Sequence, residues 1–216
     1  MRSGLNRFLP TAPFINRAVR HLCTIKRRGT GRATRDRPAP GNTFRVWMGG
    51  PVRDFELRLQ YRVIPNSEGG FANSGIQYRS RLMDRTHFAM AGYQADMDAA
   101  PDYSAILYEE RVRGVMALRG ERVRFNRENG KEILGSVGDP AKIQSNIRTR
   151  DWNDYVILAR GNRLQHFING QLTVDVIDES PRAAMQGLLG FQLHAGDPMS
   201  VQFREVRLRK LRLEGR

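Results

Sequence analysis

Between Phe55 and Val63 every second residue is apolar: Phe55, Leu57, Leu59, Tyr61 and Val63 alternate with Glu56, Arg58, Gln60 and Arg62. Successive side chains of an extended strand point to opposite faces, so this run specifies a strand with one dry face and one wet one. Two further runs follow, Asn73 to Arg79 and Ala91 to Met97. They place Ile76, Tyr78, Tyr93 and Met97 on one side and Gln77, Arg79, Gln94 and Asp96 on the other. An amide, a guanidinium and a carboxylate on one exposed face suit a polyhydroxylated ligand.

Short strands separated by turn residues continue to the C-terminus. Tyr155 to Ala159 leads into Gly161-Asn162, then Arg163 to Ile168, then Asn169-Gly170. Asn-Gly is the strongest two-residue hairpin signal, because both central positions of a type I′ turn need positive φ. Leu189, Phe191 and Leu193 define another strand, with Gln192 and His194 on its opposite face. In the last strand the apolar phase set by Val201 and Phe203 slips at Arg204-Glu205 before Val206 and Leu208, as a β-bulge makes it. Helical periodicity is confined to Asp139–Asn146 and Ser180–Met185, read as short helices or turns. Regularly spaced strands without long helices predict an all-β fold of two packed antiparallel sheets.

Seven segments in order, Asp54-Phe-Glu-Leu-Arg-Leu, Asn73-Ser-Gly-Ile-Gln-Tyr-Arg, Gly92-Tyr-Gln-Ala-Asp-Met, Ile106-Leu-Tyr-Glu, Asp151-Trp-Asn-Asp-Tyr, His166-Phe-Ile-Asn-Gly and Gly190-Phe-Gln-Leu-His-Ala-Gly, resemble the landmarks of the 3-keto-disaccharide hydrolase domain family. The resemblance runs from about Asn42 to Leu211. It implies a jelly-roll sandwich of the concanavalin and laminin-G type over residues 42–213, with a concave sheet that holds sugar. It also implies an exported or periplasmic bacterial protein, supplied with substrate by a sugar 3-dehydrogenase acting upstream.

Residues 1–41 depart from the family, whose members open with strands containing a Trp and a Gly. This stretch holds ten of the 36 basic residues and one of the 22 acids, with no sustained period. It reads as an unfolded basic arm, and an incorrectly assigned start codon is the rival reading. Prolines and arginines break Phe8 to Leu22, so no secretory signal is visible. No apolar run reaches the roughly 18 residues that a membrane crossing needs. The single cysteine, Cys23, allows no intramolecular disulfide. The net charge of +14 suggests polyanions, but the arm carries +9 of it (ten bases less one acid) and the remaining bases are interspersed with acids. That pattern argues against a nucleic-acid surface.

Cleavage of a 3-keto-glycoside, the chemistry the resemblance implies, starts from a C2 proton acidified by the C3 carbonyl. A base removes it, an enolate forms, the C1 substituent departs by elimination, and water adds. Such a site needs a base, donors on the keto oxygen and an acid for the leaving group. Strand parity offers Asp96 or His194 as base, with Tyr108 or His166 assisting departure. Asn73, Gln77, Arg79, Gln94 and Gln192 are the candidate sugar contacts. Glu109 is the alternative to its strand neighbour Tyr108, since adjacent residues face opposite ways. Arg119, in a presumed hairpin over Gly114–Arg127, is a further candidate donor. His166 shares a side with Leu164 and Ile168, so a core histidine is the competing reading. No cofactor motif is evident, and neither histidine has a metal-ligand partner at short spacing, which leaves open a divalent metal held by residues distant in sequence. The rival functions are a non-catalytic carbohydrate-binding module and a structural β-sandwich.

Overall fold

The computed structural model describes residues 41–211 and, before them, only the backbone of two short pieces. In chain order the strands are β1 (Asn6–Arg7), β2 (Cys23–Ile25), β3 (Thr43–Val46), β4 (Phe55–Pro65), β5 (Asn73–Asp84), β6 (Ala89–Asp98), β7 (Leu107–Glu110), β8 (Gly114–Ala117), β9 (Glu121–Phe125) and β10 (Lys131–Ser136). After the helix α1 (Pro140–Ser145) come β11 (Asn153–Arg160), β12 (Arg163–Ile168), β13 (Gln171–Asp178), β14 (Leu188–Leu193) and β15 (Met199–Lys210). The larger sheet runs β15-β4-β11-β12-β13-β9-β10, and β1 and β2 pair with the other edge of β15. The smaller sheet runs β3-β14-β5-β6-β7-β8.

The alternation in β4 sets the core. Phe55, Leu57, Leu59, Tyr61 and Val63 are buried and face the inner side chains of the smaller sheet, among them Ile76, Tyr78, Tyr93, Met97 and Phe191. Phe191 of the smaller sheet stacks on Phe203 of the larger, ring centroids 4.4 Å apart. Each such side chain contributes about 1.5–3 kcal/mol when fully buried, so the two-residue period alone is enough to drive the sheets together. The Asn169-Gly170 turn has φ of 48° and 82°, both positive as its sequence requires. The bulge in β15 lies between Arg204 and Arg207, with Glu205 at φ 51°. Asp139 caps α1 by accepting from the Ala141 and Lys142 amides; Ser180–Met185 is irregular.

Two expectations change. The pairing is not wholly antiparallel: β13 and β9 run parallel, Asp175 beside Arg122. Gly114–Arg127 is not a hairpin, because β8 closes one sheet and β9 belongs to the other, so the turn at 118–120 carries the chain between sheets. Most of the segment read as an unfolded arm lies outside the described residues; within it, the backbone of Cys23–Ile25 pairs with Val201–Phe203.

Candidate functional site

The outer face of the smaller sheet carries the polar residues whose parity opposes the core. Register sets Gln77 beside Gln94, Gly75 beside Asp96, Gln94 beside Tyr108 and Gly92 beside Glu110. This face is concave. Asn42, just before β3, donates from Nδ2 to Glu110 Oε1 on β7 at 3.4 Å, although β14, β5 and β6 lie between those strands. The far end of the groove is roofed by the β5–β6 hairpin. Thr43 Oγ1 donates to the His87 carbonyl at 3.0 Å, and Phe44, Val46 and Met90 form a small apolar cluster with Leu82, Phe88 and Leu188. A Cβ at Gly190 would meet Met90 Sδ at 2.5 Å, so only glycine lets this roof settle.

Below the roof four amide and carboxyl groups make one relay. Ser80 Oγ donates to Gln77 Oε1 at 2.5 Å, Gln77 Nε2 to Gln94 Oε1 at 2.7 Å, and Gln94 Nε2 to Asp96 Oδ1 at 2.6 Å and to Gln192 Oε1 at 3.4 Å. Gly75 makes this possible: a Cβ there would overlap the Gln94 amide, which lies flat across the strand. Gln77 and Gln192 are 0% exposed, Gln94 2% and Asp96 4%, so the group is desolvated. Gln192 Nε2 has no hydrogen-bond partner among the described residues. A buried amide without a partner costs about 1–3 kcal/mol.

Among the described residues no cation stands beside Asp96. Burial pushes its carboxyl well above the usual range, the charges of Glu110 and Asp98 push the same way, and only the Gln94 amide opposes them. The neutral acid is therefore favoured. With Oδ1 accepting from Gln94, the proton belongs on Oδ2. Burial, then Glu110 and Asp96, raise the Tyr108 phenol as well. Asn73 borders the group, donating from Nδ2 to Asp98 Oδ2 at 3.3 Å.

Other candidates lie elsewhere. Arg79 sits in a bulge between Tyr78 and Arg81, at φ 48°, and the lost phase swings it away from the groove. Its guanidinium pairs with Asp54 at 3.0 Å and donates to the carbonyls of Arg53, Gly161 and Ala184, clamping the two sheets together at one end. His166 is in the core between Tyr78, whose hydroxyl is 2.9 Å from Nε2, and Tyr155, 3.4 Å from Nδ1. Burial lowers its pKa to about 3, so it is neutral and sealed from any ligand on the outer face. Glu109 faces inward to Arg113. Arg119 donates to the carbonyls of Pro140, Pro101 and Ser104 and serves those loops. His194 is half-buried at the end of β14, its Nδ1 2.5 Å from the Ala195 carbonyl and its ring 5.2 Å from Phe71; it does not join the relay. Sequence reasoning missed Glu110, which shares the parity of Tyr108, and Asn42, whose contact is long-range. Among the described residues no three His, Cys, Asp or Glu side chains are grouped to hold a metal, and no helix is long and apolar enough to cross a membrane.

The 3-keto-alpha-glucoside-1,2-lyase-like domain matches residues 23–209. The chain belongs to this family. No curated protein matches it. Among solved structures, this lyase-like domain is similar to the carbohydrate binding module CBM66 from Bacillus subtilis, at 17% identity and a TM-score of 0.50, over 79% of this chain and 83% of that one. A putative glycosyl hydrolase from Parabacteroides distasonis matches at 15% identity and 0.50, over 79% and 84%. A Bacillus subtilis protein of unknown function with a galectin-like fold matches at 8% identity and 0.50, over 81% and 80%. At these identities the likeness establishes the sandwich fold, and the family establishes a carbohydrate-related domain.

Proposed function

We propose that the concave face binds a 3-keto-glycoside and cleaves it by removal of the C2 proton, elimination at C1 and addition of water. The observation that carries this reading is the desolvated Gln77–Gln94–Asp96–Gln192 group, with one donor unpartnered and a carboxyl that favours its neutral form. A neutral carboxylic acid in a dry site donates a hydrogen bond to the oxygen on which enolate charge develops, where such a donor acts most strongly. Asp96 therefore serves as a donor to the C3 oxygen, and the role of base passes to another group. In this reading Gln192 Nε2 and the Tyr108 hydroxyl serve sugar hydroxyls. A dehydrogenase that oxidises the C3 hydroxyl of a glycoside must supply the substrate.

The second reading, a binding module without catalysis, is favoured by the likeness to a carbohydrate binding module. One experiment separates them. The purified protein is incubated with 3-keto-glucosides and with their unoxidised parents, and release of the C1 alcohol is followed. Release from the keto compounds alone supports the lyase-type reading, and Asp96→Asn, which keeps a donor but weakens proton sharing, should lower that turnover about 10-fold or more. Tight binding of a sugar without release from any keto compound establishes the module instead.

A further inference from the structure

We propose that Glu110 is the base that takes the C2 proton, held in position by Asn42 from the opposite wall of the groove. The inference rests on the lyase-type reading above and names the proton-moving group within it. Glu110 lies two residues from Tyr108 on the same strand and so shares its outer face; Gly92, its partner on β6, sets no side chain beside it. Its side chain is 12% exposed, so solvent reaches it. Asn42 Oδ1 accepts from the Ala195 amide at 2.8 Å, which fixes the orientation of its own amide and turns Nδ2 toward Glu110 Oε1 at 3.4 Å. A donor held in that way aims a carboxylate without neutralising it. Arg111 Nε lies 3.8 Å from the same oxygen.

Two carboxyl groups on one concave wall thus have different surroundings. Asp96 is buried, its Oδ1 occupied by the Gln94 amide, while Glu110 is reached by solvent and by a cation. They are close enough for the charge of Glu110 to disfavour ionisation of Asp96. The carboxyl enclosed with the Gln94 amide is the hydrogen-bond donor to the substrate oxygen, and the solvent-reached one aimed by Asn42 is the group that meets the C2 proton. In the step this implies, the Glu110 carboxylate takes the C2 proton and the C2–H pair becomes the C2=C3 bond. The C3=O pair moves onto oxygen, where the Asp96 proton meets it. As the carbonyl reforms, the enolate pair becomes C1=C2, the C1–O bond breaks, and the departing alkoxide takes the proton from Glu110. Water then adds across C1=C2.

The test uses the full chain and methyl 3-keto-α-glucoside in deuterated water. Loss of the C2 proton signal and release of methanol are followed by NMR, and affinity is measured separately by calorimetry. Glu110→Gln should reduce both C2 exchange and methanol release by about 10²-fold or more, with affinity within a few-fold of the native protein. Glu110→Asp should recover part of the exchange. Asn42→Ala should lower kcat with little change in KM, and Asn42→Asp should not restore it, a split that a purely structural contact would not give. Native-like exchange in a folded Glu110→Gln variant, while the native protein is active, overturns this assignment and leaves the lyase-type reading standing. Absence of exchange and release in the native protein overturns both.

Discussion

On the inner face of β6 and β7, Tyr93 and Glu109 send their polar ends into a set of charges that is closed: Arg113 pairs with Glu109 and with Asp178 at 2.6 Å, Tyr93 donates to Asp178 at 2.5 Å, and Ser180 donates to the other oxygen of Asp178 at 2.6 Å. On the outer face of β6, Gln94 and Asp96 are equally dry, yet among the described residues they end in a carboxyl without a cation and in the Gln192 amide, whose Nε2 has no partner. Both sides bury polar groups at a cost in desolvation. The inner set offsets that cost within the fold, by setting the Arg113 guanidinium against both carboxylates and two hydroxyl donors on Asp178, and that guanidinium is held above its ordinary pKa by Asp178 and Glu109 against burial. The outer set is left incomplete, as a surface that awaits a ligand must be.

The largest effect should come from opening the closed set. Arg113→Met keeps much of the volume over Phe125 but strands Glu109 and Asp178 in the interior. Removing one partner of a buried pair costs about 3–5 kcal/mol, and chemical denaturation should show a loss of that size. A loss below about 1 kcal/mol would mean that solvent reaches these carboxylates, and the contrast between the two faces would disappear.

How far each face was legible in the sequence follows from the same contrast. Strict alternation exposed the inner residues of β4 and the outer Gln77, Gln94, Asp96 and Gln192, because period-2 parity survives wherever the ladder is regular. It failed at Arg79, where a bulge adds a residue to one strand and turns the guanidinium toward Asp54. Parity set Tyr108 and Glu109 on opposite faces and left the choice open; the observed register puts Tyr108 beside Gln94 and brings in Glu110, two residues on, which the sequence reading passed over. Asn42 carried no local signal at all, since its partners Ala195 and Glu110 are distant in sequence and meet only because the sheet curls. The step of the chain from β8 to β9 between sheets was hidden for a similar reason: a short turn reads as a hairpin whichever sheet receives the next strand.

Acid and base should sharpen the comparison at intermediate size, because the two dry sides titrate in opposite senses. His166 is held at about 3, below the 6.5 of an exposed imidazole, so between those values the unfolded chain binds a proton that the folded one refuses, and stability falls as pH falls. Asp96 is raised above 3.8, so above that value the folded chain keeps a proton that the unfolded one releases, and stability falls as pH rises toward its folded pKa. Between about pH 4.5 and 6 the two slopes oppose each other, each at most about 1.4 kcal/mol per pH unit. Asp96→Asn removes one of them. The variant's stability should therefore rise with pH across this interval more steeply than that of the native protein, by up to about that slope. Parallel curves would show that Asp96 is ionised in the folded state.

The smallest change tests the incomplete side directly. Gln192→Met replaces an amide whose Nε2 has no partner with an unbranched side chain of similar length, at a position that is fully buried. Taking away an unsatisfied donor relieves its desolvation cost, and among the described residues the bond forfeited is the long one from Gln94 at 3.4 Å. Stability should rise by about 1 kcal/mol, while affinity for the sugar falls about 10-fold through loss of a donor to a ligand hydroxyl. A gain in stability at the expense of binding is the signature of a group kept for its ligand. If instead the variant loses 1 kcal/mol or more, the amide already has a partner in the folded protein, and the outer set is as closed as the inner one.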